Sequence, residues 1–172
     1  LKRGATELLR VLKEEKVPLA LATTSTRHKL RCYNQLFPIC SFFNVVVCGD
    51  MIDFGKPDPQ IYIRAAELLE VDIQACYIVE DSPNGIRGAS AAKGMVVGIP
   101  DMIKLSGETE KMCDFIFDNL EEFRKYLNIW DSIYALILVI TKRDIWSRKT
   151  YSWLLQIFAL VQDINYIWVA AY

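Results

Sequence analysis

Apolar positions recur at two spacings along the first 125 residues. Within Ala5 to Glu15, Leu8, Leu9 and Leu12 share one face while Glu7, Arg10, Lys13 and Glu14 lie elsewhere, which predicts an amphipathic helix. Gln60 to Glu70 repeats that period through Ile61, Ala65, Leu68 and Leu69. Arg27 to Leu36 and Asn84 to Lys93 also read as helices, and a last one begins near Asn119. Between them lie short, nearly unbroken apolar runs: Val17 to Ala22, Val45 to Cys48, Ala75 to Val79, Met95 to Ile99 and Asp114 to Phe117. Runs of that kind, rather than clean alternations, are expected of strands covered on both faces by helices. Strand and helix alternate at βαβ lengths, so the expected fold is α/β, a three-layer, doubly wound parallel sheet.

In such sheets the ligand site lies beyond the carboxyl ends of the strands. The polar groups that follow the apolar runs are therefore the candidates: Thr23-Thr24-Ser25-Thr26, Gly49-Asp50 and Glu80-Asp81-Ser82. Adjacent carboxylates such as Glu80 and Asp81 suit Mg2+, which takes one or two carboxylates plus water and phosphate oxygens. A hydroxyl directly after a strand, as at Thr23, can donate to a phosphoryl oxygen. The backbone N–H groups of Thr24 and Ser25 point the same way if a helix starts there. Lys56 stands in Gly55-Lys56-Pro57-Asp58-Pro59, where two prolines stiffen the loop. A fixed ammonium beside a carboxylate–metal pair neutralises phosphoryl charge.

Plainer readings stand beside these. Thr23 to Thr26 also reads as a helix N-cap, Glu80-Asp81 as a turn opener with Asn84 capping the next helix, and Lys56 as a solvated loop lysine. Asp50 and Asp53 read as loop residues, and Arg27 and His28 as surface ones.

Together, the segments Ala20-Leu21-Ala22-Thr23-Thr24-Ser25, Gly55-Lys56-Pro57-Asp58-Pro59 and Val79-Glu80-Asp81-Ser82-Pro83-Asn84-Gly85-Ile86 resemble the second, third and fourth motifs of the haloacid-dehalogenase-like hydrolases. Within that superfamily the chain looks most like the β-phosphoglucomutase-like branch of sugar-phosphate phosphatases. Ala91-Ala92-Lys93-Gly94-Met95 continues the likeness, which covers about residues 1–125. The resemblance implies a Rossmann-like core and Mg2+-dependent hydrolysis of a small phosphorylated metabolite, such as a sugar or nucleoside phosphate. It implies that Thr23 binds the phosphoryl oxygen, with Thr24 and Ser25 adding contacts, and that Lys56 steadies nucleophile and phosphate. Asp81 becomes a Mg2+ ligand and Glu80 a second or water-mediated one. A phosphomutase of the same family and a non-catalytic phosphate-binding or interaction module are the alternative functions.

One departure matters. The family's first motif, Asp-x-Asp, supplies the covalent nucleophile and the general acid and base. It occurs nowhere in these 172 residues. The core is therefore expected to be incomplete at its N-terminal side, lacking its central strand and leaving exposed edges. Either a fragment cut at the cap-to-core hinge or a degenerate relative accounts for this, and in both cases little or no turnover is expected. A response-regulator receiver also combines a parallel sheet, a Thr or Ser and a lysine, but the phosphorylatable aspartate it needs after an early strand is not seen.

Composition separates residues 1–125 from an apolar, Trp-rich tail at 126–172. All eight glycines and all six prolines precede residue 108, whereas all four tryptophans follow residue 129, so the two parts do not share one pattern of turns. The runs 133–140 and 153–161 fall short of the roughly 18–20 residues of a spanning helix. The tail reads in three ways: two helices packing on the core and covering the open edge; a membrane-surface segment, which the partner reading disfavours; or sequence not selected for this fold.

The net charge of −1 carries no basic excess for nucleic acid, and the lone His28 excludes most His-rich metal sites. Five cysteines without a CxxC pair read as reduced thiols in a reducing, cytoplasmic compartment. The opening Leu1-Lys2-Arg3-Gly4 carries no initiator Met and no signal-peptide pattern, and reads as the middle of a longer frame.

Overall fold

The computed structural model of the chain describes residues 2–100 and 105–127, together with the backbone of residues 166–169. The elements run α1 (Ala5–Glu14), β1 (Leu19–Thr23), α2 (Arg27–Leu36), β2 (Val45–Cys48), α3 (Gln60–Leu69), β3 (Cys76–Glu80), α4 (Pro83–Ala91), β4 (Met95–Gly98), α5 (Gly107–Glu110), β5 (Phe115–Ile116) and β6 (Tyr166–Val169). Residues 120–127 are helical as well. The strands form one parallel sheet in the order β2-β1-β6-β3-β4-β5.

Local chemistry sets the element ends. After α1, Lys16 adopts a left-handed φ of 59° and the Val17 N–H returns to the Leu12 carbonyl at 2.9 Å. Glu70 and Val71 close α3 in the same way, with Val71 donating to Ala66 at 3.1 Å. This is the six-to-one bond of a Schellman ending. The turn falls at Glu15 and Lys16, Val17 and Pro18 lead out of it, and β1 begins at Leu19 rather than at Val17. β1 and β3 each run one residue further than the apolar pattern suggests, which makes Thr23 and Glu80 the last residues of their strands.

Successive side chains of a strand point to opposite sheet faces, and both faces are covered. Ala20, Ala22, Cys76, Ile78 and Val96 pack with Ile61, Tyr62 and Ala65 of α3 and with Ile86 and Ala89 of α4. Leu19, Tyr77, Val79 and Val97 pack on the other side with Leu8, Leu9 and Leu12 of α1 and with Phe123. Leu8 and Leu9 are almost fully buried, and each such side chain contributes about 1.5–3 kcal/mol. α2 buries none of its residues and lies on the rim.

The centre of the sheet departs from expectation. Tyr166–Val169 pairs in parallel with β1 on one side and β3 on the other, so the slot expected to stand open is filled. This part of the tail is extended, not helical. Tyr, Ile, Trp and Val are strand-favouring types, and two flanking strands offer them unmade backbone hydrogen bonds. The rest of the tail, with its two apolar runs, lies outside the described residues. Among the described residues no helix is long and apolar enough to cross a membrane.

Candidate active site

β6 places β1 and β3 in one frame, because Leu21 and Val79 both pair with Val169. Two residues further along, Thr23 and Asp81 reach the same height at the carboxyl edge of the sheet. They stand two strand spacings apart, about 9–10 Å. The Lys56 loop meets the same edge through Glu80. Residues 23, 56, 80 and 81 therefore assemble at one place.

Thr23 is fully buried and its Oγ1 accepts from the Ser25 N–H at 3.2 Å. The cap of α2 is made by Thr26, which accepts from the Lys29 N–H at 3.3 Å. Capping thus falls to Thr26 and leaves Thr23 with the sheet edge. Thr24 is exposed and Ser25 half-buried. Gly49 fixes their backbone: its N–H donates to the Ser25 carbonyl at 2.9 Å, and a Cβ there would lie 2.3 Å from the Thr24 carbonyl oxygen.

Lys56 is held by a loop that is bonded throughout. The Asp58 N–H donates to the Gly55 carbonyl at 3.0 Å, and Gln60 Oε1 accepts from the N–H groups of Asp53 and Phe54, each at 2.8 Å. The Lys56-Pro57 peptide is cis. The ammonium of Lys56 pairs with Glu80 and lies 5.2 Å from the centroid of the Tyr62 ring.

Glu80 sits at the centre of a buried network. It is 3% exposed, and its Oε1 accepts from both Lys56 and the Tyr62 hydroxyl, the latter at 2.7 Å. Its Oε2 lies 3.3 Å from the Asp81 N–H and 3.4 Å from Ser82 Oγ. The carboxylate is turned inward as the hub of a buried network, because one cation and a phenol compensate it there. Gly85 leaves room for it, since a Cβ at that position would sit 2.0 Å from Glu80 Oε2. Burial pushes the Tyr62 hydroxyl well above the ordinary phenol range, and the Glu80 charge adds to the shift, so the hydroxyl stays a donor.

Asp81 is the carboxylate that faces the edge. Its side chain is about one-fifth exposed and pairs with Lys2 Nζ at 3.2 Å. Burial raises its pKa above the ordinary aspartate value, and the Lys2 ammonium opposes that rise. Among the described residues no three His, Cys, Asp or Glu side chains cluster around a metal position. Asp81 offers Mg2+ a carboxylate at the sheet edge, in a shell that water and phosphate oxygens would complete.

The remaining sequence candidates are placed elsewhere. Arg27 pairs with Asp50 at 3.0 Å, Asp53 accepts from Gln60 Nε2 at 3.3 Å, and His28 is exposed. Ser82, not Asn84, caps α4, accepting from the Gly85 N–H at 3.0 Å. Tyr62, Gly85 and Lys2 were not singled out from sequence. Tyr62 had one available signal: it falls in the first turn of the helix that follows the lysine loop, on the same buried face as Ile61 and Ala65.

Comparison with known proteins bears on the family and the fold. A family model described as haloacid dehalogenase-like hydrolase matches residues 1–93. A probable pseudouridine-5'-phosphatase of Drosophila melanogaster is 37% identical over 130 residues, covering 70% of this chain and 54% of its own length. A phosphorylated carbohydrates phosphatase of Thermotoga maritima is 34% identical over 89 residues, covering 52% of this chain and 41% of its own. Among solved structures, a β-phosphoglucomutase from Clostridium difficile superposes with a TM-score of 0.63 at 22% identity, over 79% of this chain and 58% of that one. The chain spans about half the length of these relatives.

Proposed function

Because the chain belongs to the haloacid dehalogenase-like hydrolase family, whose model matches residues 1–93, we propose that it carries the phosphoryl-binding part of a Mg2+-dependent phosphatase. The substrate class is a small phosphorylated metabolite, such as a sugar or nucleoside phosphate, and no nucleic acid is involved. One observation carries the reading: Thr23, Lys56 and Asp81, from three separate segments, meet at the carboxyl edge of one parallel sheet, with Lys56 locked by Glu80 and Tyr62.

The residues divide the work. Thr23 Oγ1, with the Thr24 and Ser25 backbone, offers hydrogen bonds to phosphoryl oxygens. An ammonium has three N–H donors, so Lys56 can hold Glu80 and still reach an oxygen of the phosphoryl group. Asp81 would hold Mg2+, which would supply charge neutralisation for the phosphoryl oxygens. Glu80 acts through Lys56, as its counter-ion. Five cysteines that form no CxxC pair in the sequence support a reducing, cytoplasmic setting.

Turnover needs a nucleophile, and no Asp-x-Asp is present in the sequence. The central strand at the site is Tyr166-Ile167-Trp168-Val169, followed in sequence by Ala170-Ala171-Tyr172, with no carboxylate. That observation favours a second reading, a phosphate-binding module without catalysis. The test is inorganic phosphate binding by calorimetry together with hydrolysis of an aryl phosphate in Mg2+, on the 172-residue chain and on Thr23→Val and Asp81→Asn. Phosphate binding weakened by Thr23→Val, with no turnover, is the expected result. Turnover abolished by Asp81→Asn would instead mean that another carboxylate serves as nucleophile. Failure to bind phosphate at all would remove the site reading.

A further inference from the structure

Lys2 is held at both its backbone and its side chain. Its carbonyl accepts from the Ala5 N–H at 3.1 Å, which folds the segment into the first turn of α1. Gly4 follows with a left-handed φ of 82°, and it lies so close to the helix at residues 120–127 that a Cβ would meet the Glu121 backbone nitrogen at 2.5 Å. No other residue combines that conformation with that approach. Arg3 clamps the same point, pairing with Glu121 at 3.1 Å.

From this anchored turn the Lys2 side chain crosses to the catalytic edge of the sheet. Its Nζ lies 3.4 Å from the Ile99 carbonyl beyond β4 and 3.2 Å from Asp81 Oδ2 beyond β3. Both partners of the ion pair are four-fifths removed from solvent, at 20% and 21% side-chain exposure, so water screens the pair only partly. The ammonium therefore stands against the carboxylate that Mg2+ would use. A divalent ion bound to Asp81 at about 2.0–2.1 Å would share that carboxylate with a second positive charge.

We propose that Lys2 is a tethered cation of the candidate site, which Mg2+ must displace from Asp81 in order to bind. The proposal rests on the reading of Asp81 as the metal carboxylate. It assigns Lys2 an opposing role: it satisfies the buried Asp81 charge when no metal is present and raises the metal concentration the site needs. A neighbouring opposite charge shifts a carboxylate's proton affinity by roughly 10- to 1000-fold, and competition with a metal ion runs on the same scale.

The test is Mn2+ binding to the full chain, followed by loss of the free-ion paramagnetic resonance signal. Lys2→Met is expected to bind Mn2+ about tenfold tighter than the unaltered chain, the low end of that range. Lys2→Arg, which keeps the charge, is expected to stay near the unaltered affinity. Lys2→Met combined with Asp81→Asn is expected to lose the gain. An unchanged or weaker affinity in Lys2→Met, or no detectable binding to it, would overturn the proposal, as would an equal gain in Lys2→Arg. If the combined variant still binds as tightly as Lys2→Met, the metal does not use Asp81. The metal assignment then falls first, and the role of Lys2 falls with it.

Discussion

At the scale of single residues, the buried network around Glu80 holds the greatest leverage. Lys56 is the only cation bonded to Glu80 among the described residues, and the Tyr62 hydroxyl supplies the other strong donor. Removing one partner of a buried ion pair strands the other charge, at about 3–5 kcal/mol. Lys56→Met is therefore expected to lower the unfolding free energy by that amount in urea denaturation. Lys56→Met with Glu80→Gln should recover part of the loss, because the amide carries no charge to strand; a double variant no more stable than Lys56→Met would show that Glu80 is not the cause. Tyr62→Phe removes one donor and should cost about 1–3 kcal/mol.

Gly85→Ala probes the same network from the opposite side. The added methyl would lie 2.0 Å from Glu80 Oε2 and 2.2 Å from its carboxyl carbon. A carboxylate tip usually swings aside cheaply, but this one is tied to Lys56 and Tyr62. Overpacking of this kind costs about 1–3 kcal/mol, and thermal melting should show a clear loss. A melting temperature equal to that of the unaltered chain would mean that the carboxylate is free to move.

At the scale of elements, α2 depends on its ends, since it buries no residue. Its N-terminus is tied to the loop after β2: Asp50 accepts from the Arg27 N–H at 3.1 Å and from Arg27 Nε at 3.0 Å. The Arg27 hydrogen bond holds the Asp50 carboxyl below the ordinary aspartate range. A depressed folded value means that the pair contributes above the unfolded pKa and is lost as pH falls through the folded one. In Arg27→Ala, Asp50 should titrate back near its ordinary value of 3.8, as followed by carboxyl carbon resonances. An Asp50 titration unchanged by the substitution would show that Arg27 is not its partner.

Elements also show what the sequence made legible. β2 matches its apolar run, and α2 matches its pattern residue for residue. β1 and β3 are legible because covered strands are continuous apolar runs ending in polar groups. Their last residues escape, since Thr23 and Glu80 are polar yet buried, and only the neighbouring strands show that pairing continues through them. At the site, Thr23, Lys56 and Asp81 are visible because short motifs carry them. For Glu80 the sequence shows a carboxylate but not the phenol and ammonium bonded to it. Lys2 is invisible because its contacts, at Asp81 and Ile99, are about 80 and 97 residues away in sequence.

At the scale of the molecule, β6 decides whether the sheet is continuous. The residue types of Tyr166–Val169 favour a strand, but no Gly or Pro nearby marks its bounds in the apolar stretch around it. Its conformation comes from the slot between β1 and β3, where it pairs on both sides. A proline in a central strand removes a ladder hydrogen bond, whereas an edge strand tolerates one. Ile167 pairs with both Leu19 and Tyr77, whereas Ile116 lies on the edge strand β5 and is 45% exposed. Ile167→Pro is thus expected to destabilise the whole chain by about 3 kcal/mol or more, and Ile116→Pro by clearly less. Hydrogen exchange locates the effect: Ile167→Pro should expose β1 and β3 amides together, because one strand joins the two halves of the sheet. If Ile167→Pro leaves both the melting temperature and those amides unchanged, β1 and β3 are held together by their helices alone, and the common frame that aligns Thr23 with Asp81 has to come from α1, α3 and α4 rather than from the tail.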